Sequence, residues 1–74
     1  MSVLDKILRD ETDTQLRQAT VYALGNTKED EAVDVLLRVA KNDADRRIRT
    51  AAVNALGQIG TPKARAALVD IIKE

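Results

Sequence analysis

The side chains of this chain that could do chemistry are twelve carboxylates and twelve cations, with no histidine or cysteine among its 74 residues. Carboxylates act as general acids and bases when they converge on a substrate. Those present here fall where a helix needs a cap, a partner four residues away or a solvated face. The lack of imidazole and thiol groups excludes thiol chemistry, zinc sites and histidine-based proton transfer. We therefore expect no catalytic site, no metal and no cofactor.

The densest cationic cluster, Arg46, Arg47 and Arg49, could contact the phosphates of a nucleic acid. It is flanked by aspartates, and the sequence offers a single aromatic side chain, Tyr22, for stacking on bases. Equal numbers of acidic and basic residues also remove the overall field that attracts nucleic acids and anionic membranes. Nucleic-acid binding is therefore the weaker alternative. Tyr22 is either a contact residue or an ordinary surface tyrosine.

The elements that carry these side chains repeat. Residues 13–42 align with residues 45–74 without a gap, at an offset of 32, and ten of the thirty pairs are identical. Those pairs are Asp13/Asp45, Arg17/Arg49, Ala19/Ala51, Val21/Val53, Ala23/Ala55, Leu24/Leu56, Gly25/Gly57, Ala32/Ala64, Leu36/Leu68 and Lys41/Lys73. Apolar residues recur at helical spacing, and no alternating pattern indicates a strand. Self-similarity at this period predicts an all-α solenoid.

The repeat extends towards the amino terminus, because Val3 and Leu4 share the register of Val35 and Leu36. We predict one domain over 1–74, with a half repeat at 2–12, repeat 1 at 13–44 and repeat 2 at 45–74. Each full unit is a helical hairpin with a first and a second helix. The five helices of these two and a half units are expected at about 2–10, 14–25, 28–41, 46–58 and 62–73.

Two aspartates mark the starts of the first helices. Asp13 and Asp45 can each accept the free N–H groups of an opening turn. Arg17 and Arg49 follow four residues later, within reach of these caps. In stacked units each arginine also reaches the loop of the neighbouring unit. We predict that Asp13, Arg17, Asp45 and Arg49 form a structural ladder that links the repeats.

The turns within the hairpins carry their own signals. Gly60 suits a left-handed residue after a helix, Thr61 suits an N-cap, and Pro62 suits the first helical position, where no donor is lost. In repeat 1, Thr27 with Asp30 three residues later predicts a weaker capping box.

Small and large apolar residues alternate along the first helices, which predicts closely packed helices. The expected core residues there are Leu16, Ala19, Ala23, Leu24, Ile48, Ala51, Ala52, Ala55, Leu56 and Ile59.

Residues 45–74 carry a known motif almost throughout. Its matching positions are Asp45, Ile48, Arg49, Ala52, Ala55, Leu56, Gly57, Ile59, Gly60, Pro62, Ala64 and Leu68. With these residues the chain resembles the HEAT-like repeats of phycobilisome lyases, although Thr14 and Arg46 stand where that family often has proline. The resemblance implies an α-solenoid. It leaves function open, because such repeats serve as scaffolds, as subunits of bilin lyases and in nucleic-acid-binding enzymes.

Exposed positions of the second helices form two columns in the predicted stack. One contains Lys6, Arg38 and Asp70, and the other is wholly basic, with Arg9, Lys41 and Lys73. A basic ridge could bind an acidic partner, whereas cations in the last turn of a helix also complement its dipole. The candidate partner-contact residues on this second-helix face are Lys6, Arg9, Arg38, Lys41 and Lys73.

The ends of a solenoid normally carry polar caps, but the terminal helices of this chain carry apolar residues. Val3 and Ile7 at one end, and Val69 and Ile72 at the other, are candidates for self-association into a homo-oligomer. The alternative is that the chain is an excised segment of a longer array.

Together these features predict a non-catalytic scaffold that binds a protein partner. The alternatives are an accessory subunit or fragment of a bilin-lyase-like enzyme and a weak nucleic-acid-binding HEAT-like module. No apolar run approaches the ~20 residues of a membrane span, so we expect no membrane association and a cytoplasmic chain.

Overall fold

A computed structural model describes residues 13–73, together with Lys6 and Leu8. Within these residues the chain has four helices and no strand: α1 (Thr14–Thr27), α2 (Asp30–Asn42), α3 (Arg46–Ile59) and α4 (Pro62–Lys73). The helices form two layers, since α1 packs mainly on α3 and α2 packs on both α3 and α4. None of the described helices is both long and apolar enough to cross a bilayer.

The number of helices differs from the expectation. The prediction of five is wrong for the described part of the chain, which has four. The difference is the helix expected at about 2–10, which lies outside the described residues except for Lys6 and Leu8. The all-α repeat class is confirmed, and α1 and α3 have bounds that differ by the 32-residue offset.

Local capping sets where the two first helices begin. The Asp13 carboxylate accepts hydrogen bonds from the backbone N–H of Gln15 at 2.9 Å and of Leu16 at 3.3 Å. The Asp45 carboxylate accepts one from the N–H of Arg47 at 2.8 Å. Both aspartates are therefore N-caps, as their position in the sequence predicts.

The hairpin turn of repeat 2 also follows its prediction. Gly60 is left-handed at φ 64° and donates its N–H to the Leu56 carbonyl at 3.2 Å. Thr61 caps α4, because its hydroxyl accepts the N–H of Ala64 at 3.3 Å.

The corresponding turn of repeat 1 is built differently. Lys28 takes the left-handed position, at φ 55°, so α1 continues through Thr27. The Thr27 hydroxyl then donates to the Leu24 carbonyl at 2.7 Å, and α2 begins after Glu29 without a side-chain cap. The predicted capping box of Thr27 and Asp30 is therefore wrong, because Thr27 is the last residue of the preceding helix.

The core lies between the layers. Its largest fully buried side chains are Leu24, Leu36, Ile48, Leu56, Val21 and Val33. Three residues expected in the core are instead exposed, namely Leu16, Ala19 and Ala23. The equivalent residues of repeat 2 are buried because they lie on the side of α3 that packs on α1. No described helix packs on the side of α1 that carries the three exposed residues.

A close crossing joins the repeats. A Cβ added at Gly25 in α1 would lie 2.9 Å from the Cβ of Ala55 in α3 and 3.1 Å from its Cα. The first separation is shorter than real Cβ contacts and the second is tighter than most of them, so glycine at position 25 allows α1 and α3 to approach this closely.

Truncation of Leu56 tests the core. We expect Leu56→Ala to lower the free energy of unfolding by about 2–5 kcal/mol, because it leaves a cavity at a fully buried position. Chemical denaturation monitored by helical circular dichroism measures this. An unchanged denaturation midpoint would contradict the placement of Leu56.

Lys28 has a left-handed backbone conformation, so a substitution at this position is expected to stabilise the fold. Lys28→Gly should raise the unfolding free energy by about 0.5–1 kcal/mol, since glycine adopts positive φ without steric penalty. Gly60→Lys, at the equivalent turn, is the matched control and should be destabilising. Equal effects of the two substitutions in urea titrations would refute this account of the turns.

Candidate functional site

Asp43, in the turn between α2 and α3, receives hydrogen bonds from both repeats. Its carboxylate forms an ion pair with the guanidinium of Arg17 and accepts the backbone N–H of Asp45 at 3.0 Å. Its carbonyl accepts a hydrogen bond from Nη1 of Arg49 at 2.6 Å. Arg17 also donates through Nε to the Leu8 carbonyl at 3.2 Å.

These contacts place the predicted ladder residues. Arg17 and Arg49 both bind Asp43, and neither pairs with the capping aspartate four residues before it. Asp45 pairs instead with Arg47, Nη2 to Oδ2 at 3.2 Å. Arg17 and Asp43 both belong to repeat 1, so the hydrogen bond from Arg49 of repeat 2 to the Asp43 carbonyl is the contact at this turn that links the two repeats.

Partial burial makes the Arg17–Asp43 pair electrostatically significant. The side chain of Arg17 is 17% exposed and that of Asp43 is 10% exposed. Burial by itself would raise the pKa of Asp43, but hydrogen bonds from Arg17 and from the Asp45 backbone, with the Arg17 charge, lower this pKa below its ordinary value. The Asp43 carboxylate is therefore ionised and stabilises the fold at neutral pH.

A shallow cavity of about 300 Å³ opens beside this turn, lined by Leu8, Arg17, Arg38, Val39, Asn42 and Asp43. Among its described lining residues, the partly buried carboxylate of Asp43 is paired with the partly buried guanidinium of Arg17. No group of three metal-binding side chains occurs among the described residues.

A second groove lies on the outer layer, between α2 and α4. It has a volume of about 350 Å³, and its apolar residues are Val33, Leu37, Ala66 and Ala67. Two ion pairs cross it at its edges: Nζ of Lys63 lies 3.1 Å from Asp34, and Nζ of Lys41 lies 3.0 Å from Asp70. We call this surface the α2/α4 groove.

The predicted basic ridge is therefore divided. Lys41 comes from the basic column and Asp70 from its neighbour, and their ion pair neutralises the middle of the ridge. Lys6, Arg38 and Lys73 are exposed, and Arg9 lies outside the described residues.

The candidate self-association residues can be placed only at the carboxyl-terminal end. Val69 is 50% exposed and Ile72 is 81% exposed, both on α4. Val3 and Ile7 lie outside the described residues.

Two features of the surface could not be read from single motifs. The sequence offers one indication of a role for Asp43, because the equivalent position 32 residues earlier is also acidic, namely Glu11. The sequence offers no such indication of the α2/α4 groove, since the residues of the groove belong to different helices and become neighbours only when the repeats stack.

Two stacked helical hairpins with offset-matched helix bounds define an α-solenoid. The chain belongs to the HEAT-repeat family, since a family model described as HEAT repeats matches residues 1–74. HEAT repeats generally mediate protein–protein interaction. The comparison with curated proteins returns no match, and neither does the comparison with solved structures.

Removal of the Asp43 charge tests the turn. Asp43→Asn should lower the free energy of unfolding by about 1.5–3 kcal/mol at neutral pH, because it weakens a charged, partly buried hydrogen-bonded pair. The folded-state pKa of Asp43 is depressed, so its stabilisation is present above the ordinary value of 3.8 and is lost as the pH falls through the folded value.

The difference in stability between wild type and Asp43→Asn should therefore narrow below pH 3.8. Urea denaturation of both proteins across pH 7 to pH 2 measures it. A difference that stays constant with pH would contradict an ionised, stabilising Asp43.

Proposed function

We propose that this chain is a non-catalytic protein-interaction module whose α2/α4 groove binds a protein partner. The observation that carries the proposal is the groove itself, which combines apolar residues with charged edges. Interfaces commonly have this arrangement, with a desolvated apolar centre and a polar rim.

The geometry favours an amphipathic segment of a protein as the ligand. Leu37 and Ala66 offer apolar contact area inside the groove, and Asp34, Lys63 and Asp70 are exposed beside it. A segment with apolar residues on one side and both signs of charge at its edges would match this pattern. Its charged residues could pair with the groove's own charged side chains in place of the existing ion pairs.

The exposed cations add a preference. Lys6, Arg38 and Lys73 belong to the predicted second-helix face, and their side chains are exposed. We infer that these exposed cations attract the acidic end of a partner.

The narrower assignments rest on sequence motifs. The similarity to phycobilisome-lyase repeats depends on the residues from Asp45 to Leu68, and a bilin-lyase-like role remains the alternative that this similarity suggests. We also infer a cytoplasmic location and the absence of catalysis. The charge-balanced edges of the α2/α4 groove favour a protein over a nucleic acid as the ligand.

A matched pair of surface variants tests the groove. Ala66→Glu places a charge on an exposed helical position inside the groove, and Ala19→Glu makes the same change on an exposed position of α1. Proteins captured by wild type from nuclease-treated extract of its source cells are identified, purified and titrated calorimetrically against all three proteins.

We expect a binary complex that Ala66→Glu weakens at least about tenfold and Ala19→Glu leaves unchanged. Circular dichroism checks that both variants fold. Equal affinity for the three proteins, or no purified candidate that binds, would contradict the proposal.

A further inference from the structure

The two ion pairs of the α2/α4 groove join its helices by the same relation. Asp34 in α2 pairs with Lys63 in α4, 29 residues further along the chain. Lys41 pairs with Asp70, also 29 residues further along. Because both pairs share this offset, α2 and α4 run side by side and parallel from one pair to the other. Two helical turns separate the pairs, so the ends of the groove are about 10 Å apart along the helices.

The middle of the groove is apolar and incompletely filled. Leu37 and Ala66, which are separated by the same offset, both line the groove between the two ion pairs. Ala66 is small and cannot fill the space beside Leu37, and this space forms part of the cavity of about 350 Å³. The centre of the groove can therefore receive one large apolar side chain.

Both ion pairs present their acidic member outwards. At one end, the side chain of Asp34 is 71% exposed and that of Lys63 is 46% exposed. At the other end, Asp70 is 52% exposed and Lys41 is 25% exposed. Each end is balanced in charge, but its carboxylate is the more accessible group. A ligand that approaches the groove from solvent meets negative charge at both ends.

A third carboxylate adds to this negative charge. Asp30 lies one helical turn before Asp34 and accepts a hydrogen bond from the neutral Thr61 hydroxyl at 2.9 Å. No ion pair within the described part of the chain involves Asp30. Three carboxylates therefore lie beside two ammonium groups where α2 meets α4, which favours a basic ligand.

The two outward carboxylates of the groove occupy opposite corners. Asp34 lies on α2 at one end, and Asp70 lies on α4 at the other. The axes of packed helices are roughly 8–10 Å apart, and the two ends are separated by two helical turns. The diagonal between these corners is therefore about 14 Å long, and it passes over the apolar centre.

An extended chain matches this diagonal better than a helix does. In an extended segment, alternate side chains point to the same side, and residues i and i+4 are about 13 Å apart. Basic residues at i and i+4 would reach the two carboxylates while the side chain at i+2 enters the cavity. In a helix, side chains that share a face are about 10 Å apart at i+7 and about 16 Å apart at i+11.

We propose that the α2/α4 groove binds an extended protein segment in which a basic, a large apolar and a second basic residue occupy alternate positions. This inference rests on the interaction role proposed above and specifies the chemistry of the partner. The basic residues pair with Asp34 and Asp70, and the apolar residue lies between Leu37 and Ala66.

A tryptophan-containing peptide is the probe. The chain has no tryptophan, so the emission of one tryptophan in the probe reports the anchor residue alone. The probe is acetyl-Gly-Arg-Thr-Trp-Thr-Arg-Gly-amide, in which threonine favours an extended backbone. The matched control peptide, acetyl-Gly-Arg-Arg-Trp-Thr-Thr-Gly-amide, has the same composition and charge but a different order.

We expect the full chain to bind the probe saturably, with a blue shift of its emission, and to bind the control peptide at least about fivefold more weakly. Asp34→Asn combined with Asp70→Asn should weaken binding of the probe at least about threefold, because two charge pairs are lost. Glu29→Gln combined with Glu31→Gln removes the same charge outside the groove and should change the affinity less than about twofold. Circular dichroism checks that both double variants fold.

Three results would overturn the inference. One is no blue shift at chain concentrations up to about 1 mM. Another is equal affinity for the two peptides, or for wild type and the variant that lacks both aspartates. The third is tighter binding of a stapled helical peptide with arginine at i and i+7 and tryptophan at i+3, since a helix would then be the occupant. Each result leaves the proposed function intact if a captured partner still binds wild type more tightly than Ala66→Glu.

Discussion

The close crossing of α1 and α3 at Gly25 and Ala55 is the constraint on which the rest of the structure depends. A side chain at position 25 would collide with Ala55, so the two helices can pack at this distance only because both residues are small. This approach buries Leu24 and Leu56 completely and sets the spacing of the repeats. The outer layer follows, because α2 packs on α3 and therefore lies at a defined distance from α4.

The turn at Asp43 complements this crossing by controlling orientation. Packed small residues allow helices to slide, whereas hydrogen bonds to a single residue have a defined geometry. Arg17 reaches Asp43 from within repeat 1, and Arg49 reaches it from repeat 2. The charge carried by Asp43 is balanced by a partly buried arginine, so the turn stabilises the stack.

The proposed interaction surface, the α2/α4 groove, is a consequence of the stacking. The α2/α4 groove exists because Leu37 and Ala66 belong to neighbouring repeats that stop short of complete contact. Gly57 in repeat 2 is the counterpart of Gly25, the residue at which repeat 1 accommodates the close approach of Ala55.

The order of residues along the chain was enough to predict the four described helices and most of their caps, but not their number, since five helices were expected. Asp13, Asp45 and the Gly60-Thr61-Pro62 turn act on backbone groups within a few residues, so local sequence carries their information. Burial could not be predicted in this way, because Ala23 and Ala55 are identical in sequence register and differ only in whether a helix covers them. The ion pair of Lys41 with Asp70 and the role of Asp43 were likewise decided by tertiary structure, since each joins side chains from separate elements whose distance depends on how the repeats pack.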